Sequence, residues 1–457
     1  MLLLDLLYLL VLALLSPWLA WRAIATGRYR RTLVAKLFGH VSVPNPHRKP
    51  VAWFHAVSVG EVNLLGTLVP AFRKRHPDWL VVVSSTTDTG LAEARRRFSD
   101  LATIVWPLDF SWAVNRALYG VKPALVVLTE SEMWPNFLRA AKRLSIPVAV
   151  VNARMSPRSF QRLSRIAGIA RRLLFDKVAR FAVQGEDYTQ RFRQLGVAPE
   201  KLSTTGSVKY DGASGERDTP QARELARLLS WKSDVLILLA GSTHAPEESI
   251  VLDTFATLRR RFPHLRLILV PRHPDRFEEV ARLVEHSGLP FVRRSQIVEP
   301  LVEMPAIVLL DTVGELGAAW SLADVGFTGG SFDGHRGGQS MIEPAGYGVP
   351  CAFGPHIWNF KDAAKRLVEI GGAIVVKNAT ELEAELAKLL ADEPLRKRMG
   401  SAARELVRRQ QGATERTLDV LDEVIQIRAG SVSDGLPTWK IRRLRLRLVG
   451  THPRMPN

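Results

Sequence analysis

The stretch GGSFDGHRGGQSMIEPAGYGVP (Gly329–Pro350) directly follows the apolar run LADVGFT. It is rich in glycine, which loses more backbone freedom on folding than any other residue. Glycines at the end of an apolar strand are therefore typical of a place where a ligand approaches the backbone closely. The segment 339–347 has a helical pattern that includes Glu343, and we expect its N-terminus to bind an anion or a nucleotide. The stretch thus predicts a strand, a ligand-binding loop and a helix of an α/β fold.

The same alternation of short apolar runs and longer helical patterns extends over most of the chain in both directions. The predicted strands form two series, at 51–57, 79–86, 124–130, 147–153 and 180–185, and at 234–242, 265–271, 306–311, 324–331 and 349–355. Strands that alternate with helices predict parallel sheets with crossover helices, and strands without polar alternation are covered on both faces. We therefore predict two doubly wound α/β domains that face each other across a cleft.

Composition suggests where these domains begin and end. A polar, glycine-rich segment at 206–233 separates the two series and is typical of a linker or hinge, while helices predicted at 380–391, 393–410 and 413–428 close the second domain. The predicted organisation is an anchor with its basic flank at 1–31, a first domain at 32–205, the linker at 206–233, a second domain at 234–428 and a basic extension at 429–457.

The N-terminal segment MLLLDLLYLLVLALLSPWLAW is almost wholly apolar and is followed by the basic segment RAIATGRYRR. Its length suits one crossing of a bilayer or a helix that lies in one leaflet. A cleaved signal peptide begins with basic residues, which are missing here, and the basic flank that follows predicts that the body of the protein stays in the cytoplasm. The alternative is a buried helix of a soluble domain.

The net charge of the 457 residues is +18, with a pI near 10.4, which favours an acidic partner. The basic residues are spread over the chain and no nucleic-acid-binding motif is present, so we expect an anionic membrane rather than nucleic acid. The single cysteine, Cys351, excludes an internal disulfide.

Carboxylates and one lysine follow strands of the first series, where ligands bind in such folds. Glu61 begins a helix after the first strand, and the helix dipole favours its ionised form, which can accept a proton. Glu130 and Glu132 follow the third strand, and Lys209 lies in the predicted hinge. The alternatives are structural: Glu61 as a helix-terminal residue, and the glutamate pair as a helix cap beside a buried tryptophan.

The second series ends in residues that suit a nucleotide. Arg272 follows a strand in VPRHP and can bind a phosphate through two parallel hydrogen bonds. Gly314 and Glu315 lie at a helix start in DTVGEL, and Glu343 follows the glycine-rich loop.

Taken in order, HAVSVGE, ESEMWPN, NARMSPRS, TGSVKYD, PRHPDRF, DTVGEL and the glycine-rich stretch resemble the 3-deoxy-D-manno-octulosonic acid (Kdo) transferases of lipid A assembly. The resemblance extends over about residues 5–425. It implies a GT-B fold of two Rossmann-like domains, CMP-Kdo as donor, a lipid A precursor as acceptor, and a place on the cytoplasmic face of the inner membrane. It implies no cofactor, since CMP-Kdo is a co-substrate.

The resemblance also implies roles for individual residues. Glu61 corresponds to the general base, and Glu130 and Lys209 correspond to a pair that stabilises the transition state. The CMP-contacting segments correspond to Pro271, Arg272, Val313, Gly314, Glu315, Ser340, Met341, Ile342 and Glu343. The chain departs from the family pattern GGHNPLE, since it has GGQSMIE at 337–343.

The implied chemistry requires no metal site. CMP leaves as a monophosphate, which one arginine and a helix N-terminus can neutralise, and no Asp-x-Asp motif of the usual kind is present. Three alternatives remain: a GT-B enzyme that uses another nucleotide sugar on a lipid, a non-catalytic membrane-surface protein with a degenerate transferase fold, and a nucleic-acid binder.

Overall fold

The computed structural model describes residues 4–14, 16, 32–213 and 215–433. The predicted basic extension beyond residue 433 and most of the predicted anchor, including 17–31, lie outside the described residues. Residues 4–14 form a helix, α1, which precedes the first domain.

The first domain is built on a seven-stranded parallel sheet in the order β3-β2-β1-β4-β5-β6-β7. Its strands are β1 (Val51–Ala56), β2 (Leu80–Ser85), β3 (Ala102–Val105), β4 (Leu125–Thr129), β5 (Val148–Ala153), β6 (Arg180–Val183) and β7 (Leu202–Thr204). The α-helices between and before them are α2 (Leu33–Phe38), α3 (Val59–Arg75), α4 (Asp88–Arg97), α5 (Ser111–Val121), α6 (Pro135–Arg143), α7 (Pro157–Ser164), α8 (Ala167–Leu173) and α9 (Glu186–Gln194).

The second domain repeats this architecture with a parallel sheet in the order β10-β11-β9-β8-β12-β13-β14. Its strands are β8 (Leu236–Thr243), β9 (Leu265–Pro271), β10 (Phe291–Arg293), β11 (Ile307–Leu309), β12 (Val325–Thr328), β13 (Cys351–Phe353) and β14 (Ala373–Val375). The remaining α-helices are α10 (Pro220–Leu228), α11 (Glu247–Arg261), α12 (Phe277–His286), α13 (Leu316–Leu322), α14 (Ile342–Gly346), α15 (Lys361–Glu369), α16 (Ala379–Ala391), α17 (Glu393–Gln410) and α18 (Ala413–Ser433).

Each sheet lies between two apolar layers, as the unbroken apolar strands predict. β1 is buried along its whole length, and its side chains point alternately to the two faces. Val51 and Trp53 belong to one core cluster, whereas Ala52 and Phe54 belong to the cluster on the other face. The prediction of two parallel α/β domains is therefore confirmed.

The last helix does not close the second domain, as we predicted for 413–428, but returns to the first. Leu418 and Leu421 of α18 are buried in the same core cluster as Phe72 of α3. Arg75, at the end of α3, adds ion pairs with Glu415 and Asp419. The prediction was wrong because the apolar face of α18 covers the first sheet, so the chain crosses between the domains twice.

The predicted linker at 206–233 is also shorter than expected. α10 lies within it, and Leu225 and Leu229 are buried with Ile237 and Trp320 of the second domain. The apolar side of α10 therefore makes this helix part of the second domain.

Helix α1 packs on the first domain through its polar side chains. The Asp5 carboxylate accepts hydrogen bonds from the backbone N–H of Ser111 (2.9 Å) and from Asn136 Nδ2 (3.1 Å), and the Tyr8 hydroxyl donates to Asp109 (3.1 Å). Among the described residues, no helix combines the length and the apolar character needed to cross a bilayer.

Candidate active site

Glu61 lies in the first turn of α3, immediately after β1. Its Oε2 atom accepts hydrogen bonds from the backbone N–H of Val57 (3.0 Å) and from the Thr129 hydroxyl (2.5 Å), while the Ser58 hydroxyl donates to Oε1 (3.2 Å). Thr129 is the last residue of β4, which pairs with β1, so the carboxyl ends of two neighbouring strands hold this side chain. Glu61 therefore helps to cap its own helix and also lies at the sheet edge where ligands bind.

Burial raises the pKa of Glu61, hydrogen bonds from Thr129 and Val57 oppose that rise, and the nearby carboxylates of Glu130 and Glu132 add to it. A carboxylate with a raised pKa is a stronger proton acceptor when ionised, which is the property that a general base needs near neutral pH.

Glu130 directly follows β4, has a left-handed backbone conformation with φ of 54° and is almost fully buried. Its Oε2 atom lies 2.7 Å from Nε of Arg154, and its Oε1 atom lies 3.4 Å from Nζ of Lys209. The structure thus brings the predicted pair, Glu130 and Lys209, into contact. The cation of Lys209 also lies 5.8 Å from the ring centre of Phe360 in the second domain, so it stands at the boundary between the domains.

Glu130 and Glu132 are two residues apart, a spacing that would put them on one face of a strand, but both lie beyond β4, which ends at Thr129. The Glu132 carboxylate accepts a hydrogen bond from the indole N–H of Trp134 (3.0 Å), and burial raises its pKa. Glu132 is therefore close to the site without being part of the Glu130–Lys209 pair.

Arg272 of the second domain lies at the end of β9, where Pro271 is buried and Arg272 is exposed. Its Nε donates to Gln339 Oε1 (3.3 Å), and the amide nitrogen of Gln339 lies 3.3 Å from Nε2 of His244. Burial and the surrounding arginines lower the pKa of His244 to about 4, so this imidazole is neutral near pH 7. Gln339, the first residue at which the chain departs from the family pattern, thus connects the exposed guanidinium of Arg272 to the neutral imidazole of His244.

Glu343 lies next to this group, in the first turn of α14. Burial raises the pKa of Glu343, and the charge of Arg272 opposes that rise. The Glu343 carboxylate makes no hydrogen bond with a residue that the structure describes. It is therefore available to a ligand.

Helix α14 is shorter than the helix predicted at 339–347, since it spans only Ile342–Gly346. Met341 and Ile342 are buried in a core cluster with Phe353, which leaves mainly their backbone for contact with a ligand, while Ser340 is half-buried. The prediction was wrong about the length because the glycine-rich loop continues as irregular backbone as far as Ser340, with φ of 80° at Gly337 and 79° at Gly338.

The predicted segment 313–315 forms a turn before α13. Val313 is 78% exposed and Gly314 has φ of 98°, a backbone conformation that favours glycine. The Glu315 carboxylate accepts hydrogen bonds from Arg294 Nη2 (2.8 Å) and from Thr312. Its side chain is thus already engaged within the second domain.

The group around Glu61 and Glu130 and the group around Arg272 and Glu343 face a common cleft. The pKa of Glu93 in α4 is lowered first by the hydrogen bond from Arg96, and the charge of Arg272 in the other domain contributes further. Between the domains, a cavity is lined by Arg154, Lys209, Tyr210, Ile342, Phe360 and Arg366. The Tyr188 hydroxyl donates a hydrogen bond to Asp362 across this boundary.

Sequence reasoning missed two charged residues that build the site. Arg154, in the motif NARMSPRS, directly follows β5 and contacts Glu130. Glu247, at the start of α11, accepts hydrogen bonds from the backbone N–H groups of Gly330 (2.7 Å), Ser331 (2.8 Å) and Phe332 (3.1 Å) in the glycine-rich loop. The position of Arg154 directly after a predicted strand could have identified it as a site residue. The sequence contains no comparable signal for Glu247.

Two Rossmann-like domains with a cleft at the carboxyl ends of their strands define the GT-B class of fold. In agreement, the UDP-GlcNAc 2-epimerase from Neisseria meningitidis bound to UDP-GlcNAc superposes with a TM-score of 0.52 at 12% identity, covering 82% of this chain and all of that one. This likeness shows the fold alone.

Residues 32–212 match the family model of the 3-deoxy-D-manno-octulosonic-acid transferases (kdotransferases). The 3-deoxy-D-manno-octulosonic acid transferase of Haemophilus influenzae is 32% identical over 408 residues, which is 88% of this chain and 94% of the relative. The enzyme of the same name from Bordetella pertussis is 33% identical over 433 residues, covering 91% of this chain and 98% of the relative. The chain therefore belongs to the 3-deoxy-D-manno-octulosonic acid transferase family and is a glycosyltransferase, as its motifs predict.

Proposed function

We propose that this enzyme transfers Kdo from CMP-Kdo to a lipid A precursor in lipopolysaccharide synthesis, with inversion at the anomeric carbon. The observation that carries the proposal is the position of Glu61, a carboxylate with a raised pKa on the opposite side of the cleft from Arg272 and Glu343. A base in one domain and a donor site in the other suit a single displacement, in which the acceptor attacks from the side opposite the leaving CMP.

The second domain supplies groups that suit CMP. Arg272 is exposed and can bind the single phosphate, and Glu343 can accept hydrogen bonds from the ribose hydroxyls. The backbone of the glycine-rich loop, held by Glu247, lets a nucleotide approach closely.

Cations around the cavity suit the sugar, because Kdo carries a carboxylate. Lys209, Arg154, Lys361 and Arg366 line the cavity between the domains, and two carboxylates, Asp362 in the lining and Glu130 beside it, balance only part of their charge. In the proposed reaction Lys209 and Glu130 stabilise the charge that redistributes around the anomeric carbon in the transition state.

The surface of the first domain suits a lipid acceptor. The polar residues Asp5 and Tyr8 of α1 point to the domain, so its leucines face outward; Leu7, Leu10 and Leu14 are 53%, 59% and 73% exposed. Such an arrangement favours a helix that lies in one leaflet and brings the enzyme to the cytoplasmic face of the membrane.

The direct test is incubation of the purified full-length protein with CMP-Kdo and a tetra-acylated lipid A precursor, followed by mass spectrometry. We expect the mass of one or more Kdo units to be added, in the presence or absence of EDTA, and the Glu61→Gln variant serves as the negative control. Transfer from UDP-sugars but not from CMP-Kdo would contradict the donor assignment. Activity that is lost in EDTA and restored by Mg²⁺ would contradict metal-independent transfer.

A further inference from the structure

We propose that Arg154 is a positioning residue of this enzyme: it fixes the Glu130 carboxylate and so leaves the Lys209 ammonium available to the carboxylate of the sugar. The inference rests on the proposed function for the identity of the sugar. The contact between Arg154 and Glu130 is independent of that function.

The Glu130 carboxylate lies at different distances from its two cations, Arg154 and Lys209. Nε of Arg154 forms an ion pair with Oε2 at 2.7 Å, whereas Nζ of Lys209 donates a long hydrogen bond to Oε1 at 3.4 Å. Arg154 is thus the closer of the two cations to Glu130. Lys209 carries three donors, and its one carboxylate contact is long, so it keeps donors for another anion.

Residues at the end of β5 hold both Glu130 and the segment that carries Lys209. Asn152 and Glu130, at the ends of neighbouring strands, both have left-handed backbones, with φ of 51° and 54°. Asn152 accepts a hydrogen bond from the backbone N–H of Val208 (3.3 Å), directly before Lys209. Two residues later, Arg154 holds Glu130, and its carbonyl oxygen accepts a hydrogen bond from Ser131.

The charges of this group have a consequence for the transition state. Lys361, Arg366 and Asp362 also line the cavity that Arg154 and Lys209 share. Within the group of Arg154, Lys209 and Glu130, two cations and one carboxylate leave one net positive charge. Without Arg154, Glu130 would pair with Lys209 alone, and that charge would be neutralised. The charge that redistributes around the anomeric carbon in the transition state would then lack this cation, so the loss is expected in kcat rather than in the KM for CMP-Kdo.

The test is a double-mutant cycle with Arg154→Met, Glu130→Gln and the double variant, assayed with CMP-Kdo and the lipid A precursor. We expect Arg154→Met to lower kcat by about 10²-fold, the loss typical of a misplaced catalytic group, with little change in the KM for CMP-Kdo. We expect the double variant to be no slower than Glu130→Gln, because Arg154 acts through Glu130. Arg154→Lys should recover part of the rate, since it restores the charge.

Arg158→Met is the matched control, because Arg158 is exposed four residues further along the chain. Independent, multiplicative losses in the double variant, or a loss expressed as a raised KM, would overturn the proposal, since Arg154 would then act directly on the substrate. A parental kcat in Arg154→Met would also overturn it. The side chain of Arg154 is 42% exposed, so we expect the variant to fold, and its melting temperature checks this.

A second measurement does not depend on transferase activity. Reductive methylation of Lys209 with formaldehyde, followed by mass spectrometry of the peptides, reports how available its amine is. We expect slower labelling in Arg154→Met than in Arg158→Met, because Glu130 then pairs with Lys209 alone. An unchanged rate would overturn the role of Arg154 even if the enzyme proved to use a different sugar.

Discussion

At the scale of single residues, the two carboxylate oxygen atoms of Glu61 differ in their hydrogen bonds. Oε2 accepts from Val57 and Thr129 and holds the side chain at the start of α3. Oε1 has one longer contact, with the Ser58 hydroxyl, so it is the oxygen that can accept a proton from a substrate. Structural capping and base catalysis are therefore compatible in one carboxylate.

Replacing Glu61 by Gln tests this division. The glutamine oxygen can keep the contacts of Oε2, but the side chain can no longer take up a proton. We expect transfer to fall by about 10²–10⁴-fold, the usual contribution of a general base, while CMP-Kdo binding measured by calorimetry changes little. Transfer near the parental rate would make Glu61 a helix cap only, and Glu130 or Glu132 would become the candidate base.

The pH dependence of the reaction should report the environment of Glu61. Because burial raises its pKa, kcat/KM should fall on the acidic side at a pH above the ordinary glutamate value of about 4.3. The Thr129 hydroxyl favours the ionised form, so Thr129→Val should raise the pKa further and move the acidic limb to higher pH. An acidic limb at or below the ordinary value, or one that Thr129→Val leaves in place, would assign it to another group.

At the scale of elements, the glycine-rich loop depends on a carboxylate from another helix. Four backbone N–H groups, those of His244, Gly330, Ser331 and Phe332, donate to Glu247, which is 1% exposed. A loop of this kind has few side chains of its own to pack, so Glu247 provides the order that a nucleotide-binding backbone requires.

Glu247→Gln should therefore weaken both stability and donor binding. Glutamine offers one acceptor oxygen, and its amide would face N–H donors, at a cost of about 1–3 kcal/mol for each buried N–H left unpaired. We expect a lower melting temperature and a raised KM for CMP-Kdo, measured by thermal unfolding and steady-state kinetics. Glu285→Gln, at an exposed position in α12, is the control and should change neither.

The elements differ in how well the sequence predicts them. Long apolar strands such as β1 and β9 are evident because both their faces are buried. The short outer strands β3, β7, β10 and β14 were missed, since three or four residues, several of them partly exposed, carry no pattern distinct from a loop.

For the candidate site, the residues at strand ends could be predicted and their partners could not. Glu61, Glu130 and Arg272 follow from the rule that ligands bind beyond the carboxyl ends of strands. The contacts of Arg154 with Glu130, and of Glu247 with the glycine-rich loop, join residues 24 and 83–85 positions apart in the chain, so only the tertiary structure defines them.

At the scale of the whole molecule, two connections join the domains beside the cleft. Lys209 follows the first domain, and the Asp211 carboxylate accepts hydrogen bonds from the backbone N–H groups of Gly412 (2.7 Å) and Thr414, where the chain returns. The crossing segments thus meet next to the Glu130–Lys209 pair. A change in the angle between the domains would move Lys209 relative to the donor site, which couples closure of the cleft to the geometry of the reaction.

We expect the whole molecule to contact the membrane through the outward leucines of α1. Because Asp5 accepts hydrogen bonds from the first turns of α5 and α6, removing it would leave the Ser111 N–H and the Asn136 amide without this partner, whereas the outward leucines contact no such group. Replacing Leu7, Leu10 and Leu14 by Ser should therefore abolish co-sedimentation with vesicles that contain anionic lipid and leave the melting temperature nearly unchanged. Asp5→Ala should instead lower the melting temperature, by an amount that corresponds to about 1–3 kcal/mol for each polar group left unpaired.

Val298 and Val302 provide the matched control, since they are 86% and 101% exposed in the second domain, and their replacement by Ser should alter neither property. With a soluble acceptor the triple leucine variant should retain its kcat, because α1 holds no residue of the candidate site. If that variant still sediments fully with vesicles, the membrane contact belongs to basic residues elsewhere in the chain, whose net charge is +18. Raising the salt concentration should then release the protein, since ionic attraction to anionic lipid is screened within about 10 Å at 0.1 M salt.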